Sequence, residues 1–222
     1  MGWLEQVASV TEIHNSLETI RWNIDKQYLL EMQNQAFPVI ATNFIENADE
    51  LHEVSWNDDL MVKPSVSAGS NDSARFIRVP EEAMQFASGI LKSGRAVMVQ
   101  RYLREIDHFG ETGLVYFSGV FSHAFGKNSI FGGAKRPHNG LYVEEEISAR
   151  VARKHEMRIG NQVMSWLTQK LSGAPLYARV DMVSTGEEEA VIMEVELIEP
   201  SLFLHVEAGA AARFAEVLRR LG

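Results

Sequence analysis

LYARVDMVSTGEEEAVIMEVELIEPSLFL, residues 176–204, consists of two alternating runs separated by a polar turn. Successive side chains of a strand point to opposite faces. In the first run Tyr177, Arg179, Asp181 and Val183 share one face, and Ala178, Val180 and Met182 the other. In the second, Ile192, Glu194, Glu196 and Ile198 share a face, while Val191, Met193, Val195 and Leu197 form an apolar one. Thr185–Gly186–Glu187–Glu188–Glu189 is the turn. A hairpin pairing Val183 with Ile192 puts Asp181 opposite Glu194 and Arg179 opposite Glu196. Like charges directly opposite one another destabilise a sheet. The acidic face is therefore either a site for a hard cation or a solvated face neutralised by Arg179, and alternation alone leaves both open.

Composition narrows the classes of function. The chain has 222 residues, 45% hydrophobic and 23% charged, which suits an ordinary globular protein with a sizeable core. A formal net charge of −9 argues against nucleic acid or an anionic membrane surface as partner, while leaving room for a local phosphate site. The absence of cysteine excludes disulfides, thiolate metal sites and cysteine nucleophiles. No apolar run approaches the ~20 residues of a membrane span. The start, MGWLEQVASVTEIHN, lacks a basic region followed by an apolar core, so a cytoplasmic location is expected.

Upstream, Trp3 to Arg21 has a mixed helical pattern, and Tyr28, Leu29, Leu30 and Met32 mark a short helix after Asp25. Phe37 to Thr42 reads as a short strand, and Glu46 to Glu53 as a short helix. Leu60–Met61–Val62–Lys63–Pro64 reads as a buried strand leading into the small-residue stretch Ser65 to Ser73. Such a stretch either aims backbone N–H groups at an anion or is a plain linker. It is not a P-loop, because the lysine precedes it. Phe76–Val79 is a strand, Pro80 opens a helix to Lys92, and Ala96–Leu103 is a strand. Thr112–Phe117 and Val120–Phe125 form a hairpin about Ser118–Gly119, with a long loop from Lys127 to Gly140 beyond it. Helices follow at Arg153–Leu171 and Ala210–Leu221. This irregular alternation with hairpins in the second half indicates an α+β fold.

Several pieces stand in a telling order: Asn23–Ile24–Asp25–Lys26, Met61–Val62–Lys63–Pro64, Val99–Gln100–Arg101–Tyr102–Leu103 followed by Gly110–Glu111, then Arg179–Val180–Asp181 and Glu194–Val195–Glu196. From Trp22 on, the chain resembles the ATP-grasp ligases of the glutathione-synthetase-like and D-alanine-ligase-like branches. SHAFGK, GLYVEEEI, YARVDM and EVELIEPSLFL resemble in particular a bacterial group related to the cycloserine-forming cyclo-ligase.

The resemblance implies two subdomains gripping a nucleotide, a lid over residues 23–95 and a larger one over 96–222 with an antiparallel sheet. It implies that residues 1–22 are a remnant of, or link to, a further N-terminal domain. ATP and Mg²⁺ (or Mn²⁺) are the expected cofactors, and small carboxylates and amines the expected substrates. Lys26 and Lys63 would meet the phosphates, beneath a loop carrying Ser67 and Gly69. Gln100, Arg101, Tyr102 and Leu103 would read adenine through backbone groups, and Glu111 would hold the ribose. Asp181, Glu194 and Glu196 would ligate metal, although better-known members carry Asn at the position of Glu196. Lys63, Lys127 and Arg136 are the candidates for contact with reacting groups. The implied reaction is ADP-forming ligation of an acid to an amine or amide-like nucleophile through an acyl phosphate; a Mg-ATP-binding module without ligase activity is the alternative. Apolar residues such as Trp3 and Phe37, left uncovered, would offer a homodimer interface.

Overall fold

The computed structural model describes residues 2–67, 72–128 and 146–221. Two antiparallel sheets organise it. The first has the order β1-β4-β2-β3, built from β1 (Thr42–Ile45), β2 (Asp59–Pro64), β3 (Ala74–Ile77) and β4 (Val97–Arg101). The second has the order β7-β6-β5-β8-β9, built from β5 (Glu111–Phe117), β6 (Val120–Lys127), β7 (Ile147–Ala149), β8 (Tyr177–Ser184) and β9 (Ala190–Glu196). The α+β class and the antiparallel larger sheet follow as expected. β4 pairs with both β1 and β2, so the first sheet runs past the expected boundary at 95/96.

Helix α4 (Pro80–Lys92) backs the first sheet. Its proline sits in the first turn, where a missing N–H costs nothing, and Gly94 (φ 80°) lies just beyond its end. Ala83, Ala87 and Ile90 on its inner face close on Leu60, Val62, Val97 and Val99. Helices α3 (Tyr28–Asn34) and α6 (Lys154–Lys170) cover the back of the second sheet. There Leu29, Met32, Ile159, Val163 and Leu167 pack on Leu114, Tyr116, Val180 and Met182. At the start of α6, Glu156 reaches back to accept from the Arg153 N–H at 2.7 Å. On the front of the same sheet, Val115, Phe117 and Phe125 are covered at one end by Phe203, Leu204, Phe214 and Val217, the last two from α7 (Ala210–Arg219). Ser118 (φ 46°) and Gly119 (φ 80°) make the two-residue turn between β5 and β6, as a primed turn requires.

The opening hairpin forms with one change. Arg179 pairs with Glu196 and Asp181 with Glu194, but Met182 pairs with Ile192 and Val183 with Val191. The extra residue, Met193, is a bulge, and it reverses the inside–outside sense along β9. Ile192 therefore joins Val195 and Leu197 in the core, while Val191 and Met193 are only half-buried. The expected pairing of Val183 with Ile192 is corrected by one residue, and the continuous apolar face is broken.

Other expectations shift as well. Phe37–Thr42 is not a strand: Val39 makes a single parallel bridge to Ile192, and β1 begins only at Thr42. The helix expected over residues 46–53 is a 3₁₀ turn, Asp49–Glu53. The N-terminal pattern divides into α1 (Gly2–Ala8) and α2 (Leu17–Asn23), the latter capped by the Ser16 hydroxyl on the Thr19 N–H. Trp3 is 71% exposed, whereas Phe37 packs on Trp166 at a 5.5 Å ring separation and is not an uncovered residue.

The outer edge of β9 is covered by side chains. Asn23 Nδ2 donates to the Val195 carbonyl (2.8 Å) and the Leu197 N–H donates to Asn23 Oδ1 (2.9 Å). The Tyr28 hydroxyl donates to the Val195 carbonyl (2.9 Å) and accepts from the Val195 N–H (2.8 Å). Asn15 Nδ2 donates to the Leu197 carbonyl, and the backbone at Pro38 and Ile40 serves Ile192. Edge groups that would otherwise need water or another strand are thereby satisfied.

Candidate active site

The site lies where the front of the second sheet meets the strand and loop that carry Lys63 and Ser67. Alternation along β5, β8 and β9 brings Glu111, Asp181, Arg179, Glu194 and Glu196 to that front, and Lys127 pairs with Glu111 from β6. Lys26 and Lys63 approach from the other side. The Lys26 ammonium lies 3.1 Å from Glu194 Oε1 and donates to the Ser67 carbonyl at 2.7 Å. Its own backbone N–H donates to the Ser65 carbonyl, so Lys26 ties the base of the loop to β9. Lys26, Lys63, Ser67, Glu111, Lys127, Asp181, Glu194 and Glu196 thus come into one region. Gly69 and Arg136 lie outside the described residues.

Arg179 is the group that sequence reasoning left undecided. Its Nε donates to both Asp181 oxygens (2.8 and 3.1 Å), its Nη2 to Asp181 Oδ2 (2.7 Å) and to Glu196, and its Nη1 to the Ser201 carbonyl (3.1 Å). The guanidinium also lies 5.7 Å from the centre of the Phe125 ring. Arg179 and Asp181 retain only 8% and 6% of their side-chain exposure. Gly113 makes room for this arrangement: a Cβ there would stand 2.2 Å from the Phe125 ring.

The electrostatics follow from the crowding. Four carboxylates (Glu111, Asp181, Glu194, Glu196) face four cations (Lys26, Lys63, Lys127, Arg179). Burial alone would push the Glu194 carboxyl up, but the Lys26 and Lys63 charges hold it below the ordinary range. Burial pushes the Glu196 carboxyl up to about 8, helped by the Glu194 and Asp181 charges and opposed by Arg179. Burial likewise raises Glu111, against Lys127, and lowers Lys63, against Glu194.

As donors, Glu194 and Glu196 suit a hard divalent cation: they offer carboxylate oxygens two residues apart on one face. Asp181 does not converge with them. Both its oxygens are taken by Arg179, and among the described residues no three His, Cys, Asp or Glu side chains gather about one point.

The segment expected to read adenine has its polar groups more committed than that role implies. Gln100 is buried and donates to the Thr42 hydroxyl at 2.8 Å, and Arg101 points outward with its side chain 73% exposed. The Tyr102 N–H already donates to the Asp59 carbonyl at 2.7 Å, and the Leu103 carbonyl accepts from the Ile106 N–H in α5 (Glu105–Phe109). The Tyr102 ring lies under the Arg75 guanidinium, 3.5 Å from its centroid. Two buried histidines are engaged in local contacts: His123 spans the Ser122 hydroxyl and the Leu202 carbonyl, and His155 meets the Ser184 hydroxyl.

Comparison with known proteins gives this arrangement its class: the chain belongs to the ATP-grasp superfamily of ATP-binding, magnesium-dependent ligases. It is 30% identical over 231 residues to the cycloserine biosynthesis protein DcsG of Streptomyces lavendulae, a match covering 98% of this chain and 76% of that protein. The crystal structure of D-cycloserine synthetase DcsG matches with a TM-score of 0.86 at 30% identity, over 98% of this chain and 77% of the other. D-alanine–D-alanine ligase from Bacillus anthracis complexed with ATP matches with a TM-score of 0.61 over 88% of this chain and 63% of the other; at 16% identity that likeness is one of fold. No family model matches the chain. Among the described residues no helix is long and apolar enough to cross a membrane.

Proposed function

We propose that the chain joins a small carboxylic acid to an amine or amide-like nucleophile at the expense of ATP, through an acyl phosphate, releasing ADP and phosphate. The observation that carries this reading is the opposition of Lys26 and Lys63 to Glu194 and Glu196, with Lys26 already bridging Glu194 and the loop at Ser67. Two ammonium groups facing carboxylates suit a triphosphate that reaches the carboxylates through a cation. Mg²⁺, or Mn²⁺ in its place, held by Glu194 and Glu196 would neutralise charge on the phosphoryl group being transferred. Asp181 would join that set only on release from Arg179.

In this reading Lys26 and Lys63 hold the phosphates and stabilise charge during transfer. The acid's oxygen takes the terminal phosphoryl group and ADP leaves. The nucleophile's lone pair then attacks the acyl carbon, the C–O bond to phosphate breaks, and a proton departs from nitrogen. No side-chain nucleophile is needed. The base would lie against the end of β4 and the Tyr102–Leu103 segment, with Glu111 toward the sugar. Lys127, paired with Glu111 across β5 and β6, would meet the phosphates. Similarity to a D-cycloserine synthetase, together with the resemblance to a cyclo-ligase read from the sequence, favours molecules that carry acid and nucleophile together.

The test is ADP release with Mg²⁺ across amino acids, small peptides and amino acids bearing a second nitrogen nucleophile. Stimulation by one class, abolished in E194Q and reduced in K63A, is expected. Tight Mg-ATP binding with no ADP release from any acid would leave a nucleotide-binding module instead. Unchanged ATP affinity in both variants would overturn the site.

A further inference from the structure

Arg150 lies behind the site, on the face of the sheet opposite Glu111. It follows β7 directly, and its side chain crosses β6 where that strand has a glycine: a Cβ on Gly126 would stand 3.5 Å from Arg150 Cδ and 3.7 Å from its Nε. Having crossed, the guanidinium reaches the start of β5. Nη1 donates to the Glu111 carbonyl at 3.0 Å and to the Thr112 hydroxyl at 2.9 Å, and Nη2 donates to the Phe109 carbonyl. The Thr112 hydroxyl passes the contact inward, donating to Glu156 Oε1 at 2.8 Å. Glu156 is buried and accepts also from the Ser184 hydroxyl at 3.0 Å, so the relay ends on β8.

Thr112 pairs with Met182, whose side chain is in the core beneath α6, so Arg150 acts from the back. Glu111 is one residue earlier, and its carboxylate is on the front, among Lys127, Asp181, Lys63 and Arg179. The backbone between them has little slack. Gly110 takes φ 65°, and a Cβ on it would meet the Lys127 carbonyl at 2.7 Å. The chain is thus clamped from both sides within three residues: Arg150 holds the carbonyls of Phe109 and Glu111, and β6 presses on Gly110. Three acceptors around one rigid planar donor set the orientation of the peptide as well as its position.

We propose that Arg150 is a positioning residue for nucleotide binding: its hydrogen bonds to Phe109, Glu111 and Thr112 hold the Glu111 carboxylate beside Lys63 and Lys127. This rests on the nucleotide reading of the site given above. Arg150 does not reach the ligand and acts through Glu111, which makes the coupling between the two residues the decisive quantity.

The experiment measures affinity for a non-hydrolysable ATP analogue with Mg²⁺ by calorimetry in the unmodified chain, R150M, R150K, E111Q and R150M/E111Q, with the thermal midpoint of each without ligand. R150M is expected to weaken binding about tenfold, the scale seen when groups that orient a ligand's direct contacts are removed. R150K, which keeps the charge but cannot serve three acceptors, should fall about threefold. In the E111Q background, R150M should cost nothing further. Should R150M fail to fold, R150K and R150K/E111Q carry the same comparison. Affinity of R150M or R150K within the error of the unmodified chain would overturn the inference while leaving the nucleotide reading intact. So would losses that multiply in the double variant, since Arg150 would then act on the site other than through Glu111. No binding by the unmodified chain would overturn both.

Discussion

Replacing Arg179 by methionine should destabilise the whole fold and not only the site. Its guanidinium makes three hydrogen bonds to Asp181 and holds Glu196 and the Ser201 carbonyl besides. With Asp181 at 6% side-chain exposure, water cannot take over those contacts without the strand opening. Removing one partner of such a pair leaves an uncompensated buried charge and costs about 3–5 kcal/mol. For a chain of this size each kcal/mol is worth about 2–4 °C, so R179M should melt ~6–20 °C lower at pH 7 without Mg²⁺ or nucleotide. Glu196 adds less to the loss, because its side chain keeps 26% exposure and can take up a proton or turn to water. R179M/D181L removes both charges and should recover most of the midpoint, since an apolar pair in place of a buried ion pair is often neutral. Circular dichroism melts of the three proteins decide the matter. A loss below about 1 kcal/mol in R179M, or a double variant no more stable than the single, would show that Arg179 and Asp181 are not a buried structural pair.

The pH dependence has a defined sign. Glu196, raised to about 8 in the folded chain, holds a proton more tightly there than when unfolded. Its contribution is therefore full below the ordinary carboxylate range and is lost as pH rises to about 8. E196Q should gain on the unmodified chain across that interval and level off above it, in melts at a series of pH values. Glu194, held below its ordinary value, contributes in the opposite sense and is lost on the acid side, so E194Q should flatten the acid limb instead. Gly160→Ala in α6 sets helix propensity, worth about 1 kcal/mol in favour of alanine, against a Cβ 2.3 Å from the Tyr116 hydroxyl and 2.7 Å from Leu114. Overpacking of ~1–3 kcal/mol should win, and a raised melting point would refute that. Asn23→Ala orphans the Leu197 N–H and takes one of two donors from the Val195 carbonyl, so a loss of about 1–3 kcal/mol is expected from denaturant titration.

Much of the fold was legible because its signals are periodic. The expected helix Pro80–Lys92 matches α4, and the hairpin about Ser118–Gly119 forms where the turn chemistry put it. The pairs Arg179–Glu196 and Asp181–Glu194 were readable from alternation. The bulge at Met193 was not, because an inserted residue has no period of its own and shows only in what it does to its neighbours. β7, three residues long, and α5, five, are too short for a pattern to accumulate. In the site, the carboxylates and lysines announced themselves by type. What they do to one another did not: whether Asp181 faces a metal or Arg179 depends on rotamers and on burial supplied by Phe125 and the segment at Ser201. Arg150 was invisible for a different reason. Two of its three acceptors are main-chain carbonyls, which every residue has.

The side-chain cover on β9 also bears on what kind of partner this chain can take. Asn23 and Tyr28 flank Lys26, and both grip Val195, which stands between Glu194 and Glu196. The lysine is thus indexed against the carboxylates by a ruler of hydrogen bonds, and sliding α2 or α3 by one residue would break the ruler before it moved the charge. The same bonds occupy the positions where an extended peptide would add itself to the sheet. A peptide or a second copy of the chain cannot add a strand at this edge without first displacing Asn23 and Tyr28.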